Sequence, residues 1–217
     1  MKMDNKAGNT PSLTRKDIHN VLITQEKPAS ERSPYFELEK KFNINLDFRP
    51  LIQVIPIPAK EFRKQKVDIQ NYSAVIFMSK NAIDNFFRIC EEMRINVSPE
   101  LKYFCITESI ALYLQKFILY RKRKVFYGDD GTNQSLFDTI KKYKEQEKFL
   151  YPCSESFDSE ITNWLSEHNC DYAIPVLYKV VSTDITDLLK SKDFQAICLF
   201  TPLSVKSFLE NCPNFLT

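Results

Sequence analysis

Residues 74–87, AVIFMSKNAIDNFF, decide the fold because the chain carries the stretch twice. Slid forward by about 122 positions, it lies over residues 196–209, AICLFTPLSVKSFL. Alanine falls on alanine, three large apolar residues on three, Ser79 on Thr201, Ile83 on Val205 and Phe86 on Phe208. Each copy is a short, wholly apolar run, then a hydroxyl residue, then apolar positions at helical spacing. That is the pattern of a buried parallel strand running into a helix. The hydroxyl falls where strand becomes helix, beside unpaired amides and the positive end of the helix dipole. Such junctions bind anions, and in open α/β sheets ligands sit along that edge. Two copies predict two related domains with facing anion-binding edges. Taken alone, a repeated strand–helix unit is also what any α/β fold contains.

The sequence on either side of the repeat alternates in the same way. Residues 18–24 (IHNVLIT) read as a first strand, and Ser33-Pro34 as a helix start with a hydroxyl N-cap and proline at the first helical position. In that helix Phe36, Leu38 and Phe42 are expected to form the apolar side. INLDFRPLIQVIPIP (44–58) is extended and holds three prolines, which suit edges and connectors better than central strands. Its first half reads as a strand, its second as a crossing between domains. After the first repeat copy, whose helix has Ile83, Phe86, Phe87 and Cys90 as one stripe, come the strand KYFCIT and a helix facing inward with Ile110, Leu114, Phe117 and Ile118. KVFYG is a strand, Thr132 or Asn133 caps a helix, and KFLYP is a strand. Ser154 is expected to cap a helix whose stripe is Phe157, Ile161, Trp164 and Leu165. DYAIPVLYKVV is a second proline-interrupted extended segment, and TDITDLLK is a helix.

Alternating strands and helices predict an α/β fold with parallel sheets. Two flavodoxin-like lobes are expected, joined by a two-stranded linker, with the second lobe inserted into the first. Residues 18–46 and 180–217 would form the discontinuous first lobe and 54–174 the second. Residues 47–53 and 175–179 would be the connectors, and residues 1–17 a disordered polar tail.

Composition sets limits. A chain of 217 residues, 43% hydrophobic and 27% charged, suits a soluble globular protein of one large or two small domains. A net charge of +2 is too balanced to point to nucleic acid. The six cysteines contain no CxxC pair, and Cys90, Cys105, Cys153 and Cys198 fall in or beside apolar stretches, as buried reduced thiols do. With His19 and His168 the only histidines, a zinc site lacks both ligands and spacing. No run reaches the roughly 18 apolar residues of a membrane span; ALYLQKFILY comes closest and is interrupted by Gln115 and Lys116. The N-terminus has no apolar signal core, so the expected compartment is the cytoplasm.

Familiar catalytic motifs are missing: no GxGxxG, no GxxxxGK[ST], no GxSxG and only three glycines. The carboxylate pairs Glu91-Glu92 and Asp129-Asp130 read as solvated. The basic run Arg121-Lys122-Arg123-Lys124 reads as a solvated approach to a strand or an attraction for a polyanion. More informative are Ser79, Thr107, Ser154 and Thr201, each closing an apolar run and opening a helix. Singly each is an N-cap; together, on edges facing one cleft, they would bind carboxylates or phosphates. Tyr178, on the returning connector, is either an ordinary half-buried tyrosine or a phenol aimed into that cleft. With a reference pKa of about 10 it stays protonated at neutral pH and could protonate a leaving hydroxyl.

These residues resemble one known family, the uroporphyrinogen-III synthases of tetrapyrrole (haem) biosynthesis, from residue 21 onward. The likeness rests on VLIT (21–24), on AVIFMSKNAIDNFF against the family's strand–TS–x–x–AV–x–x–F, and on FCITESIALYL (104–114). It continues with FLYPC (149–153), VLYKVV (176–181) and CLFTPLSV (198–205). The resemblance implies two α/β lobes and an enzyme that takes hydroxymethylbilane, a linear tetrapyrrole bearing many carboxylates. It removes the hydroxyl, inverts the last pyrrole ring through a spiro intermediate and closes the macrocycle, with no metal or other cofactor. A small-molecule substrate and a monomer, with neither nucleic acid nor membrane as partner, are expected.

By the same resemblance Tyr178 is the tyrosine that assists hydroxyl departure. Substrate contacts are expected from Ser79, Asn81, Thr107, Ser109, Ser154, Thr201 and Ser204. The chain departs from the family at three positions in or beside these motifs. Ile110 replaces a threonine, which leaves that contact to Thr107 or Ser109; Leu203 replaces a small residue; and Asn81 stands where some members have arginine. Family members also continue past the second repeat helix with a strand, a Gly/Thr-rich turn and a helix, so the first lobe is expected to lack its outer element. The alternatives are a two-lobed binder of an anionic ligand without chemistry, or a degenerate, inactive synthase.

Overall fold

The computed structural model describes residues 18–213. The polar tail expected at 1–17, and residues 214–217 of the expected first lobe, lie outside them. In chain order the elements are β1 (Asn20–Ile23), α1 (Pro34–Phe42), β2 (Asn45–Phe48), β3 (Ile52–Pro56), α2 (Ala59–Phe62), β4 (Ala74–Phe77), α3 (Lys80–Glu92), β5 (Lys102–Cys105) and α4 (Glu108–Tyr113). They continue with β6 (Val125–Tyr127), α5 (Asn133–Ile140), β7 (Lys148–Leu150), β8 (Cys153–Ser154), α6 (Ser159–Glu167), β9 (Asp171–Ala173), β10 (Val176–Ser182), α7 (Thr186–Ser191), β11 (Ala196–Cys198) and α8 (Pro202–Asn211). This is a mixed α/β fold built on parallel strands, and it divides into two compact units. One holds the residues up to Ile52 and those from Ser182 onward; the other is Gln53–Val181.

The Gln53–Val181 unit is a five-stranded parallel sheet in the order β6-β5-β4-β7-β9. β4 is central and every one of its residues is buried, which is why its sequence is an unbroken apolar run rather than an alternation. The helices after β4 and β6 carry the apolar stripes that cover it. Ile83, Phe86 and Cys90 of α3 are buried, as are Leu136, Phe137 and Ile140 of α5. α5 and α6 meet through Phe137 and Trp164, stacked at 4.8 Å. A smaller sheet sets β10 between β3 and β8.

Numbered within the unit, the order is 3-2-1-4-5, the doubly wound order of dinucleotide-binding folds, not the 2-1-3-4-5 order of flavodoxin. The flavodoxin-like expectation is therefore corrected for this unit. Apolar runs reveal that strands exist and are buried; they do not reveal on which side of β4 each crossover returns. Here β5 and β6 add successively on one side, and β7 with β9 on the other.

The other unit has three parallel strands in the order β11-β1-β2. Its core is small: Leu22, Leu51, Ile185 and Phe208 are buried together. Hydrogen bonds complete the packing of α8. Ser207 Oγ donates to Leu51 O at 2.6 Å, Asn211 Nδ2 donates to Thr183 O at 3.0 Å, and Asn211 Oδ1 accepts from Ile185 N at 2.7 Å.

Three packing expectations are corrected. In α1, Leu38 and Phe42 are exposed and no residue is buried. At about 100° per residue Leu38 lies some 200° from Phe36, so the three were never one face; Tyr35 and Phe36 pack instead on Phe48. Helix α4 stops at Tyr113 and tightens into a 3-10 turn. Phe117 thus leaves the helical register, and it is 39% exposed instead of facing inward. Cys198 is half-buried, whereas Cys90, Cys105 and Cys153 are buried; all six thiols are free.

Candidate active site

In a doubly wound sheet the crevice opens at the carboxyl ends of the two strands where the winding reverses. Here these are β4 and β7, and the chain leaving them carries the hydroxyl-bearing residues. β4 ends at Phe77, and Ser79 takes an extended conformation (φ −155°, ψ 159°) as the N-cap of α3. Its Oγ accepts from Ala82 N at 3.1 Å. The amides of Lys80 and Asn81 belong to the same first turn, which has no carbonyl of its own helix to bond. Ser79 Oγ also lies 3.2 Å from the phenol oxygen of Tyr178, ninety-nine residues away along the chain.

Tyr178 sits on β10 and is 7% exposed. It is held there by the smaller sheet, where Val176 pairs with Cys153 and Tyr178 with Ser154 across an irregular register. Burial raises its pKa; the hydrogen bond with Ser79 opposes that shift, and Cys153 adds slightly to it. The phenol is accordingly protonated at neutral pH. Tyr151, which leaves β7, is buried nearby and its phenol is likewise raised by burial. Burial also pushes the Cys153 thiol up to about 12, so it is an apolar wall and not a nucleophile.

Ser154 stands in this group but does not cap a helix. It lies in β8, 8% exposed, and its Oγ donates to Ser156 O at 3.0 Å. The cap of α6 is Asp158, which accepts from Glu160 N at 2.9 Å. Phe157 precedes that helix and is 41% exposed. The correction has a simple cause: Ser154 pairs with β10, which requires an extended chain for longer than the apolar run suggests.

One strand further along the same edge, Thr107 caps α4 and accepts from Ile110 N at 3.4 Å, with Ser109 Oγ 3.1 Å from its hydroxyl. Asn81 is exposed, and its carbonyl accepts from Asn85 Nδ2 at 2.9 Å. The side chain of Lys80 lies over the ring of Tyr113 at 5.3 Å, which puts a cation at this helix start that the sequence reading passed over. Its only signal was its place directly after the hydroxyl.

The second repeat copy recurs in the other unit. Thr201 (φ −141°, ψ 154°) caps α8, which opens with Pro202. Thr201 Oγ1 accepts from Ser204 N at 3.1 Å, and Ser204 Oγ accepts from Thr201 N at 3.0 Å, a complete capping box. Ser204 is 2% exposed and its hydroxyl donates to Thr201 O, so that hydroxyl is spent on the helix; Thr201 is exposed. Thr24, after β1, has the same strand-end signature. Its Oγ1 donates to Cys198 O at 2.8 Å.

Among the described residues no helix is long and apolar enough to cross a membrane. A family model described as uroporphyrinogen-III synthase HemD matches residues 36–216. Among curated protein sequences there is no match. Solved structures similar to the chain include a mutant uroporphyrinogen III synthase from the extremely thermophilic bacterium Thermus thermophilus, with a TM-score of 0.61 at 14% identity over 89% of this chain and 77% of that one. They also include uroporphyrinogen-III synthetase from Helicobacter pylori, with a TM-score of 0.57 at 16% identity over 89% and 78%. The wild-type Thermus thermophilus enzyme gives 0.53 at 14% identity over 89% and 76%. At such identities the structures speak for the fold, and the family match spans most of the sequence. The chain belongs to the uroporphyrinogen-III synthase family.

Proposed function

We propose that the chain is a uroporphyrinogen-III synthase, cyclising hydroxymethylbilane to uroporphyrinogen III with loss of water and inversion of the last pyrrole ring. The observation that carries this is the family match over residues 36–216. The site chemistry agrees with it. The substrate's leaving group is a hydroxyl, which departs more readily when protonated, and Tyr178 is a buried, protonated phenol at the switch-point edge.

Ser79 is suited to holding that phenol in both of its states. A hydroxyl has one hydrogen and two lone pairs; Ser79 Oγ spends one lone pair on Ala82 N–H. The other can accept from the Tyr178 phenol before proton transfer, and the Ser79 hydrogen can rotate to donate to the phenolate after it. Substrate carboxylates would be met by the first-turn amides of α3 and by Lys80, Asn81, Thr107 and Ser109. The walls of Tyr151 and Cys153 exclude water from the phenol. Thr201 and the start of α8 would supply a second set of anion contacts. Ser204 would act by fixing that helix start and not by touching substrate.

The two-lobe reading, with an inserted second lobe and a two-stranded connector, is part of this proposal. It is supported by the division of the chain near residues 52 and 182 and by the recurrence of the strand–cap–helix unit in both parts. A monomer acting in the cytoplasm completes it. The test is to supply hydroxymethylbilane and resolve the products. Type III ring is expected. Bound but unconverted bilane would overturn the catalytic assignment, as would type I ring formed at the spontaneous rate.

A further inference from the structure

A cavity of about 290 Å³ opens at the opposite end of the five-stranded sheet from the proposed active site. Leu101 and Lys124, which lead into β5 and β6, mark its floor, so it borders the amino ends of these strands and not the carboxyl ends. Its walls are Phe87, Val97, Pro99, Phe117 and Ile118. Phe87 and Phe117 are stacked at 4.6 Å with their planes 3° apart, which presents a continuous aromatic wall. At the rim, Leu119 is 79% exposed. Exposed apolar groups gathered around a concave, mostly apolar hollow are the usual composition of a small-molecule site, and the volume lies at its lower end.

The rim is also cationic. It takes in two members of the basic run, Arg121 and Lys124. The Lys124 ammonium is already committed: it donates to Pro99 O and pairs with Glu100 at 2.7 Å. Arg121 is exposed and donates no hydrogen bond among the described residues; the Glu100 carboxyl is held below its ordinary range first by its hydrogen bond and ion pair with Lys124, with smaller contributions from the charges of Arg123 and Arg121. An uncommitted guanidinium over an aromatic-walled hollow complements one kind of ligand. We infer that this cavity binds a small amphiphilic anion, a flat apolar body carrying one carboxylate, with the body against Phe87 and Phe117 and the carboxylate on Arg121. Nothing in the proposed cyclisation uses this site, which stands or falls separately.

The experiment is calorimetric titration of the full chain with 2-naphthoate, and in parallel with the uncharged 2-naphthamide. Saturable binding of naphthoate is expected, with naphthamide weaker by about fivefold, the order of gain an exposed ion pair gives. Arg121→Gln should erase the difference, and Val97→Trp, which fills the hollow, should abolish binding of both. If Val97→Trp fails to fold, shifts of the Ile118 and Val125 methyl resonances on adding naphthoate to the unsubstituted chain decide the location. Absence of saturable binding overturns the inference, as does equal affinity for the two probes or full binding by a folded Val97→Trp chain. Concentration-dependent dimerisation that blocks the site would assign the patch to a second copy of the chain and would also overturn it.

Discussion

The hydrogen bond between Ser79 and Tyr178 can be weighed by a double-mutant cycle. Ser79 does two things: it caps α3 and partners the Tyr178 phenol at the switch-point edge. Ser79→Ala removes the cap, worth about 1 kcal/mol, and strands a buried phenol O–H, costing about a further 1–2 kcal/mol. Tyr178→Phe removes one hydrogen bond but leaves the half-buried Ser79 with its Ala82 partner, so it should cost only about 1 kcal/mol. In the double variant no polar group is stranded and the loss reduces mainly to the cap, about 1–2 kcal/mol in total. The double substitution should therefore cost about 2 kcal/mol less than the sum of the singles, and no more than Ser79→Ala alone.

Urea unfolding followed by tryptophan fluorescence measures this locally. Trp164 is the only tryptophan and lies in the same unit, stacked on Phe137 and His168. With a urea dependence of about 1–3 kcal/mol per M, a difference of about 2 kcal/mol moves the midpoint by about 1 M. Additivity within about 0.5 kcal/mol would refute the contact and with it the role given to Ser79.

Other consequences are open to simpler measurement. Tyr178→Phe should slow cyclisation by about 10² or more, the usual worth of a positioned general acid, while the urea midpoint falls only slightly; an unchanged rate removes the phenol from the mechanism. In the Gln53–Val181 unit burial raises the thiols of Cys90 and Cys153 to about 12 and also raises Cys105, Tyr103, Tyr151 and Tyr178. Unfolded thiols ionise from about pH 8.5 and phenols from about pH 10, so above those values the unfolded state holds fewer protons and stability falls as pH rises. Each thiol should cost about 1.4 kcal/mol per pH unit between roughly pH 9 and 12. Unfolding free energies that stay level from about pH 8 to 11 would contradict it. Gly131 has φ +76°, and a Cβ there would meet Thr107 Cγ2 at 3.1 Å. Gly131→Ala should lower stability by about 1–2 kcal/mol, and an unchanged melting temperature would count against that backbone.

The strand–cap–helix unit was readable because it is local. An apolar run, a hydroxyl and a helical stripe are consecutive, and both Ser79 and Thr201 occupy the same extended N-cap conformation. What could not be read is set by pairing across long separations. The sheet order depends on which side of β4 a crossover returns to. Ser154 looked like a cap because nothing nearby reveals that Tyr178 pairs with it. Ser204 is expected from the sequence as a substrate contact, but its hydrogen bonds close a capping box with Thr201 three residues earlier. The Tyr178–Ser79 contact joins two segments that only the folded sheet brings together, and the phenol is kept protonated by the burial that the same packing imposes.

The central claim is that this chain directs ring closure with inversion. The most direct measurement is the isomer ratio of uroporphyrinogen formed when purified chain is mixed with hydroxymethylbilane, against a blank of buffer alone. The type III isomer should form faster than the blank forms type I. A product mixture indistinguishable from the blank, in isomer and in rate, would contradict the account.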